Sequence, residues 1–200
     1  MVRFPVFFQW LLPQVRWKWP TEHVVLTFDD GPHPDSTLFI LDLLDTISTQ
    51  AIFFVQGEQI EKYPDLLLCI HQKGHLIGNH GYTHHDPWFS HSKTILAGIL
   101  KTEHLLNDKR IPSVGYRPPY GHWRPFWSNR QRFLTWLWSL DMKDYDPNNT
   151  TSDYIRRSQQ VRSSDILLLH DNPRFIHHTL NILPILAEHC TKQRLILHKS

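Results

Sequence analysis

A mostly parallel α/β domain is what this sequence predicts, and three observations predict it. Short runs of β-branched and aromatic residues alternate with stretches whose apolar residues recur at helical spacing, the pattern of strands joined by crossover helices. Acids or histidines stand at the carboxyl ends of four predicted strands: Asp29 with Asp30, His80, Asp141 and His170. In parallel α/β folds those ends share one face, where sites are built. The 200 residues contain no internal repeat, flexible linker or low-complexity tract, so one domain with a substantial core is expected. An open doubly wound sheet and a closed barrel share this local pattern, and periodicity leaves both open.

The elements follow in order. "VVLTF", Val24 to Phe28, reads as a strand ended by Asp-Asp-Gly-Pro. Leu38, Ile40, Leu41, Leu44 and Ile47 mark a helix that Asp35 or Ser36 can cap. "AIFFV" is the next strand, and "YPDLLLCIHQKG" a helix stopped by Gly74. "HLIGNH" is a strand running into a loop, and Ser92 to Leu106 a helix. The paired prolines of "VGYRPPYG" bar a helix there. "FLTWLWSLD" is a strand ending at Asp141, followed by a helix over 151–161 capped by Thr151 or Ser152. "DILLLHD" is a strand ending at His170, Leu180 to His189 a helix, and "QRLILH" a last strand.

Composition narrows the function classes. The formal charge is +2, from 21 basic and 19 acidic residues, with no basic stripe of the kind nucleic acid requires. "DKR" at 108–110 and Arg156 with Arg157 read as solvated helix edges. Fifteen histidines exceed structural need and make ligand or proton-transfer roles plausible for some. Eight tryptophans could stack on sugar rings, although Trp136 and Trp138 read as strand or core residues. Cys69 and Cys190 form no CxxC and read as structural thiols, so redox compartment stays undecided. The apolar stretch from Phe4 to Leu12 is too short to cross a bilayer and lacks a cleavage signature. Residues 1–22 are therefore expected to pack on a domain formed by 23–200, with membrane-surface contact as the alternative. A cytoplasmic location is the default expectation, envelope association is the other, and oligomeric state is open.

Each candidate motif has a chemical and a structural reading. Side chains alternate along a strand, so Asp29 and Asp30 would point apart, one toward a cation and the other toward a water. A turn without chemistry explains the pair equally well. His80 and His84 share one side if the segment coils after Asn79. Two imidazoles and a carboxylate would hold zinc, cobalt, nickel or iron and leave positions for water and substrate. "RPPYG" offers the Arg117 guanidinium to a carboxylate, together with a rigid turn of N–H groups. Asp141 or Asp144 could charge-stabilise the His170 imidazole as a general acid.

Taken together, "TFDDGP", "HGYTH", "RPPYG", "DMKDY" and "LLH", in order from Val24 to Asp171, resemble the polysaccharide deacetylase family (NodB-like) of metal-dependent carbohydrate esterases. The resemblance implies a distorted (β/α) barrel of about seven parallel strands. It also implies removal of N-acetyl groups from amino-sugar glycans of peptidoglycan or chitooligosaccharide type. One divalent ion is implied, zinc first and cobalt or nickel as alternatives. Asp29 resembles the general base, and Asp30, His80 and His84 the metal ligands. Arg117 resembles the residue orienting the base, and the Tyr120 N–H the oxyanion donor. His170 resembles the general acid supported by Asp144, and Leu168 the wall near the acetyl methyl. One departure stands out: Tyr145 occupies the place of the family's tryptophan, keeping an aromatic wall while adding a hydroxyl. Trp88, Trp123, Trp127 and His122 lie near the motifs as possible sugar contacts, and the short loops suggest an open cleft suited to an oligomer or polymer.

Overall fold

The computed structural model describes residues 15–123 and 133–199. Among these residues eight strands form one curled sheet: β1 (Val15–Arg16), β2 (Val25–Asp29), β3 (Ala51–Val55), β4 (Leu76–Asn79), β5 (Ser113–Tyr116), β6 (Thr135–Trp136), β7 (Leu140–Asp141) and β8 (Ile166–His170). Their order is β1-β6-β5-β4-β3-β2-β8-β7, and every pairing is parallel. The crossovers are α1 (Thr37–Thr46), α2 (Gly57–Lys62), α3 (Pro64–Gln72), α4 (Ser92–Asp108), α5 (Thr151–Ser158) and α6 (Ile176–Lys192). None of the described helices is long and apolar enough to cross a membrane.

Strand periodicity divides the core in two. Leu26 and Phe28, Phe53 and Val55, and Leu167 and Leu169 turn outward and pack with Ile40, Leu44, Ile60 and Leu186 of the helices. Their alternates Val25, Ile52, Phe54, Ile166 and Leu168 pack on the inside with Trp17, Trp136 and Trp138. All five residues of β2 and of β3 are buried, as parallel strands covered on both faces require. The same alternation puts Asp29 and His170 on the inner set. The two residues are register partners at the carboxyl ends of adjacent strands β2 and β8.

The described sheet has eight strands where the resemblance implies about seven, and one of them, β1, comes from the segment before residue 23. Val15 and Arg16 pair with Thr135 and Trp136, and Lys18 bridges Asp165 in antiparallel sense, with Nζ 2.5 Å from the carboxylate. The apolar stretch Phe4 to Leu12 lies outside the described residues. "FLTWLWSLD" is not one strand but β6 and β7, separated by residues 137–139. The Leu137 N–H donates to Arg16 O, its carbonyl accepts from Arg117, and Ser139 Oγ donates to Asp165, so the chain crosses from one sheet edge to the other. "QRLILH" makes only a bridge, Leu197 to Val24, because β2 is already paired along its length with β3 and β8. The segment before "RPPYG" forms β5, and residues 57–62 form α2; neither was expected. Helix α6 starts at Ile176, ahead of the expected Leu180, and contains Pro184. The cap of α5 is Thr150, with Asp153 completing a capping box, and Ser36 heads α1 without a side-chain cap bond.

Candidate active site

Asp29 and Asp30 do not point apart. Asp30 takes φ 84°, a left-handed conformation unusual for a residue with a side chain, and both carboxylates line the same cleft. Such a backbone costs on the order of 1–3 kcal/mol and persists only where its surroundings enforce it. Here Asp171, next to His170, does much of that. Its N–H donates to Asp29 O at 2.7 Å, and its carboxylate accepts from Ser36 Oγ (2.5 Å) and Thr37 Oγ1 (2.7 Å). A Cβ on Gly31 would stand 2.0 Å from Asp171 Oδ2, so the turn needs glycine there. Burial pushes the Asp171 carboxyl up to about 7.

His80 and His84 converge without a helical turn. Residues 80–84 form an irregular loop in which Gly81 takes φ 87°, and the two rings lie 5.3 Å apart. Asn79 fixes the loop: its Oδ1 accepts from Gly81 N, its Nδ2 donates to Ile99 O and Glu103, and its carbonyl accepts from Arg117 N. Asp30 Oδ1 lies 3.6 Å from His80 Nε2 and 3.5 Å from His84 Nε2. Among the described residues this trio is the one group of three such side chains with donor atoms within 4.8 Å of one another. The His80 Nδ1 bonds Arg117 O at 2.8 Å, which turns Nε2 toward the cleft. Burial and the neighbouring His80 bring His84 down to about 4, keeping it neutral and able to donate a lone pair at pH 7. Burial works to raise Asp30, yet His170, His80, His84 and the Asn172 amide hold it below the ordinary carboxylate value. Two imidazoles, the His84 ring among them neutral, and a carboxylate held below its ordinary value fit a divalent cation with an open coordination side.

Arg117 is fully buried beneath the site. Its Nη1 donates to Asp29 Oδ1 (2.8 Å) and Thr27 Oγ1 (2.7 Å), its Nη2 to Leu137 O, and its guanidinium carbon lies 4.0 Å from the centre of the Phe54 ring. Burial lowers the Arg117 pKa while Asp29 opposes that fall. Past β5, Pro119–Gly121 forms a 3₁₀ turn in which Tyr120 takes φ 59°. The Tyr120 N–H enters none of the backbone hydrogen bonds of the turn, and its ring, largely exposed, sits 4.5 Å from that of His84.

At the end of the neighbouring strand β8, His170 Nδ1 and Asp144 Oδ1 are 2.7 Å apart, and Asp144 Oδ2 accepts from the His170 N–H and from Thr179 Oγ1. Burial alone would lower His170, but the Asp144 carboxylate, with Asp30 and Asp29, pushes it up to about 10. Asp144 is therefore the partner that sequence left open between two acids. Asp141 instead accepts from Tyr145 Oη (2.8 Å) and Lys143 N (2.8 Å). The left-handed backbone at Lys143, φ 55°, turns the chain between the two acids. Tyr145 stands edge-on to the His170 ring at 5.4 Å and lines the cleft with Leu168 and Trp138.

All the sequence-predicted cleft side chains, Asp29, Asp30, His80, His84, Tyr120, Tyr145, Leu168 and His170, line one cavity of about 720 Å³, with Arg117 and Asp144 supporting it from behind. His122 also lines it, stacked on Trp88 at 3.7 Å and bonded to Asp86. Trp123 packs against the inner core, and Trp127 lies outside the described residues. Sequence reasoning missed Gln56, Asn172 and Trp138. Gln56 Nε2 donates to Asp30 Oδ1 (3.0 Å) and Asn172 Nδ2 to Asp30 Oδ2 (3.1 Å), contacts across 26 and 142 positions that no local pattern signals. Trp138 read as core, and its place in an inner core that opens into the cleft explains both features.

The sequence pattern described as Polysaccharide deacetylase matches residues 18–132, more than half of the chain. The chain belongs to the polysaccharide deacetylase family. It is 36% identical over 160 residues to a peptidoglycan-N-acetylglucosamine deacetylase of Bacillus cereus, covering 75% of this chain and 56% of that protein. With a chitooligosaccharide deacetylase of Rhizobium leguminosarum bv. trifolii it shares 33% identity over 153 residues, covering 74% of this chain and 71% of the relative. The crystal structure of a peptidoglycan N-acetylglucosamine deacetylase in complex with 4-naphthalen-1-yl-N-oxidanyl-benzamide superposes with a TM-score of 0.85 at 26% identity, covering 98% of this chain and 94% of that one. The curled parallel sheet with its helices is thus the family's (β/α) barrel. "DMKDY" and "LLH" lie beyond the matched segment, and the cleft brings them to the motifs within it.

Proposed function

We propose that this family member is a metal-dependent hydrolase that removes N-acetyl groups from amino-sugar glycans of peptidoglycan or chitooligosaccharide type and releases acetate. One observation carries the reading. Asp29, gripped by Arg117, and His170, gripped by Asp144, are register partners on adjacent strands and flank the Asp30–His80–His84 trio across a single cleft. Base, acid and cation site are the three parts that amide hydrolysis needs.

Asp30, His80 and His84 would hold the divalent ion, zinc in the first place given two imidazoles and a carboxylate, with cobalt or nickel as substitutes. When bound, such an ion supplies Lewis-acid polarisation and lowers the pKa of water. The chain's own residues do the rest. Asp29 accepts the proton of the attacking water, and Arg117, 2.8 Å from Oδ1, holds its carboxylate in place. The Tyr120 N–H donates to the oxygen of the acetyl group as negative charge develops there. His170, protonated at neutral pH by the Asp144 field, gives its proton to the departing sugar nitrogen. Tyr145, Leu168 and Trp138 enclose the acetyl methyl; the Tyr145 hydroxyl is tied to Asp141 and turned from competing for the leaving group.

The test is acetate release from N-acetylated peptidoglycan fragments, chitooligosaccharides and acetylxylan, repeated after chelation and after metal return. Acetate from at least one N-acetylated glycan, abolished by chelator and restored by zinc or cobalt, is the expected result. No release from either N-acetylated class with any divalent ion, or release from acetylxylan alone, would overturn the reading.

A further inference from the structure

A second cavity, of about 400 Å³, opens beside the cleft and falls within the size range of small-ligand sites. It lies between the loop after β2 and the loop after β8, and shares Asp30, Gln56, Asn172 and Arg174 with the cleft. Because the two cavities adjoin at these four residues, a glycan running from one into the other would set a sugar over each. Its walls are polar, His33 and Gln59 among them, in contrast to the Leu168, Trp138 and Phe175 surfaces of the cleft.

Charge is distributed unevenly around this junction. Every acid on the two walls is already engaged: Asp29 with Arg117, Asp30 with Gln56 and Asn172, Asp141 with Tyr145, and Asp171 with Ser36 and Thr37. Among the described residues lining either cavity, Arg174 is the one lysine or arginine. Its guanidinium is exposed and makes no ion pair or side-chain hydrogen bond with a described residue. The position is nonetheless fixed, because the Arg174 N–H donates to Asn172 Oδ1 at 3.0 Å and the Asn172 amide in turn bonds Asp30. The loop that carries this cation is thus anchored beside the metal trio while the planar fork itself is uncommitted, and a carboxylate is the group that fork matches in two-point contact.

We propose that Arg174 is a specificity residue that receives a carboxylate carried by the sugar next to the one being deacetylated. The substrate class it selects is a glycan whose alternate sugars bear a short carboxylate-ended ether, the muramic-acid type, over neutral chitooligosaccharides. This rests on the N-deacetylase reading and sharpens it.

Three tetrasaccharides test it: N-acetylchitotetraose, an alternating N-acetylglucosaminyl–N-acetylmuramoyl tetrasaccharide with free carboxylates, and the same compound with those groups converted to carboxamides. Wild-type kcat/KM for acetate release should favour the free carboxylate over the carboxamide by about 10-fold, the weight of one charge-assisted two-point contact. Arg174→Gln should erase that preference while leaving the chitotetraose rate within about twofold, and Arg174→Lys should keep part of it. Binding of the same compounds to zinc-loaded Asp29→Asn protein, followed by calorimetry, should show the same preference without turnover. Equal handling of carboxylate and carboxamide by the wild type, or an equal loss on all three compounds in Arg174→Gln, would overturn the assignment. Absence of turnover on every compound would instead count against the N-deacetylase reading, and calorimetry would still decide the role of Arg174.

Discussion

Replacing His170 with alanine should lower kcat/KM for acetate release by about 10²–10⁴-fold, the usual weight of general acid catalysis, with metal content unchanged. An amine leaves poorly unless it is protonated, and His170 is the group on that wall held in its protonated form. The pH profile adds a second readout. A raised pKa means that the acid form is present below it and lost as pH rises through it, so the alkaline limb of activity reports His170. That limb should lie between the ordinary 6.5 and about 10, because a cation bound opposite pulls down the value reached without one. Asp144→Asn removes the carboxylate that raises it and should move the limb toward 6.5, with little change in metal binding. Full turnover in His170→Ala at normal metal occupancy, or an alkaline limb indifferent to Asp144→Asn, would remove the acid from this wall.

The second large effect is expected at the metal trio. His80→Ala should weaken zinc binding by about 100-fold or more, since loss of an outer partner of a ligand alone costs roughly 10–100-fold. The rate should fall with occupancy. His80 is the sharper choice of the two histidines because it is buried and its ring is locked by Arg117 O. Competitive chelator titration with elemental analysis measures this, and Asp29→Asn is the control, expected to keep its metal while losing activity. Wild-type occupancy in His80→Ala would exclude the histidine as a ligand.

Much of this cleft is legible in the sequence because its chemistry is carried at strand ends. Asp29 and His170 end predicted strands, and period-two alternation places both on the inside once the sheet curls. What local patterns conceal is backbone handedness and long-range contact. Strand alternation predicts that Asp29 and Asp30 diverge; the left-handed turn at Asp30, braced by Asp171 from the far end of the chain, brings them together. Helical spacing predicts the meeting of His80 and His84 for a reason the loop does not use: Gly81 and the Asn79 amide do the work of a helical turn. Gln56, Asn172 and Arg174 carry no motif at all, and reach the site because β3 and β8 flank β2. The edge strand β1 is invisible to propensity at two residues in length and is held by its pairing with β6.

The claim on which base, acid and substrate placement all depend is that Asp30, His80 and His84 share one ion. Anomalous diffraction from crystals grown with zinc, recorded on either side of the metal absorption edge, tests it directly. A peak ligated by Asp30 Oδ1 and the Nε2 atoms of His80 and His84 at about 2.0–2.2 Å is the expected result. An ion held elsewhere in the cleft, or these three side chains too far apart to coordinate any common metal, would contradict it.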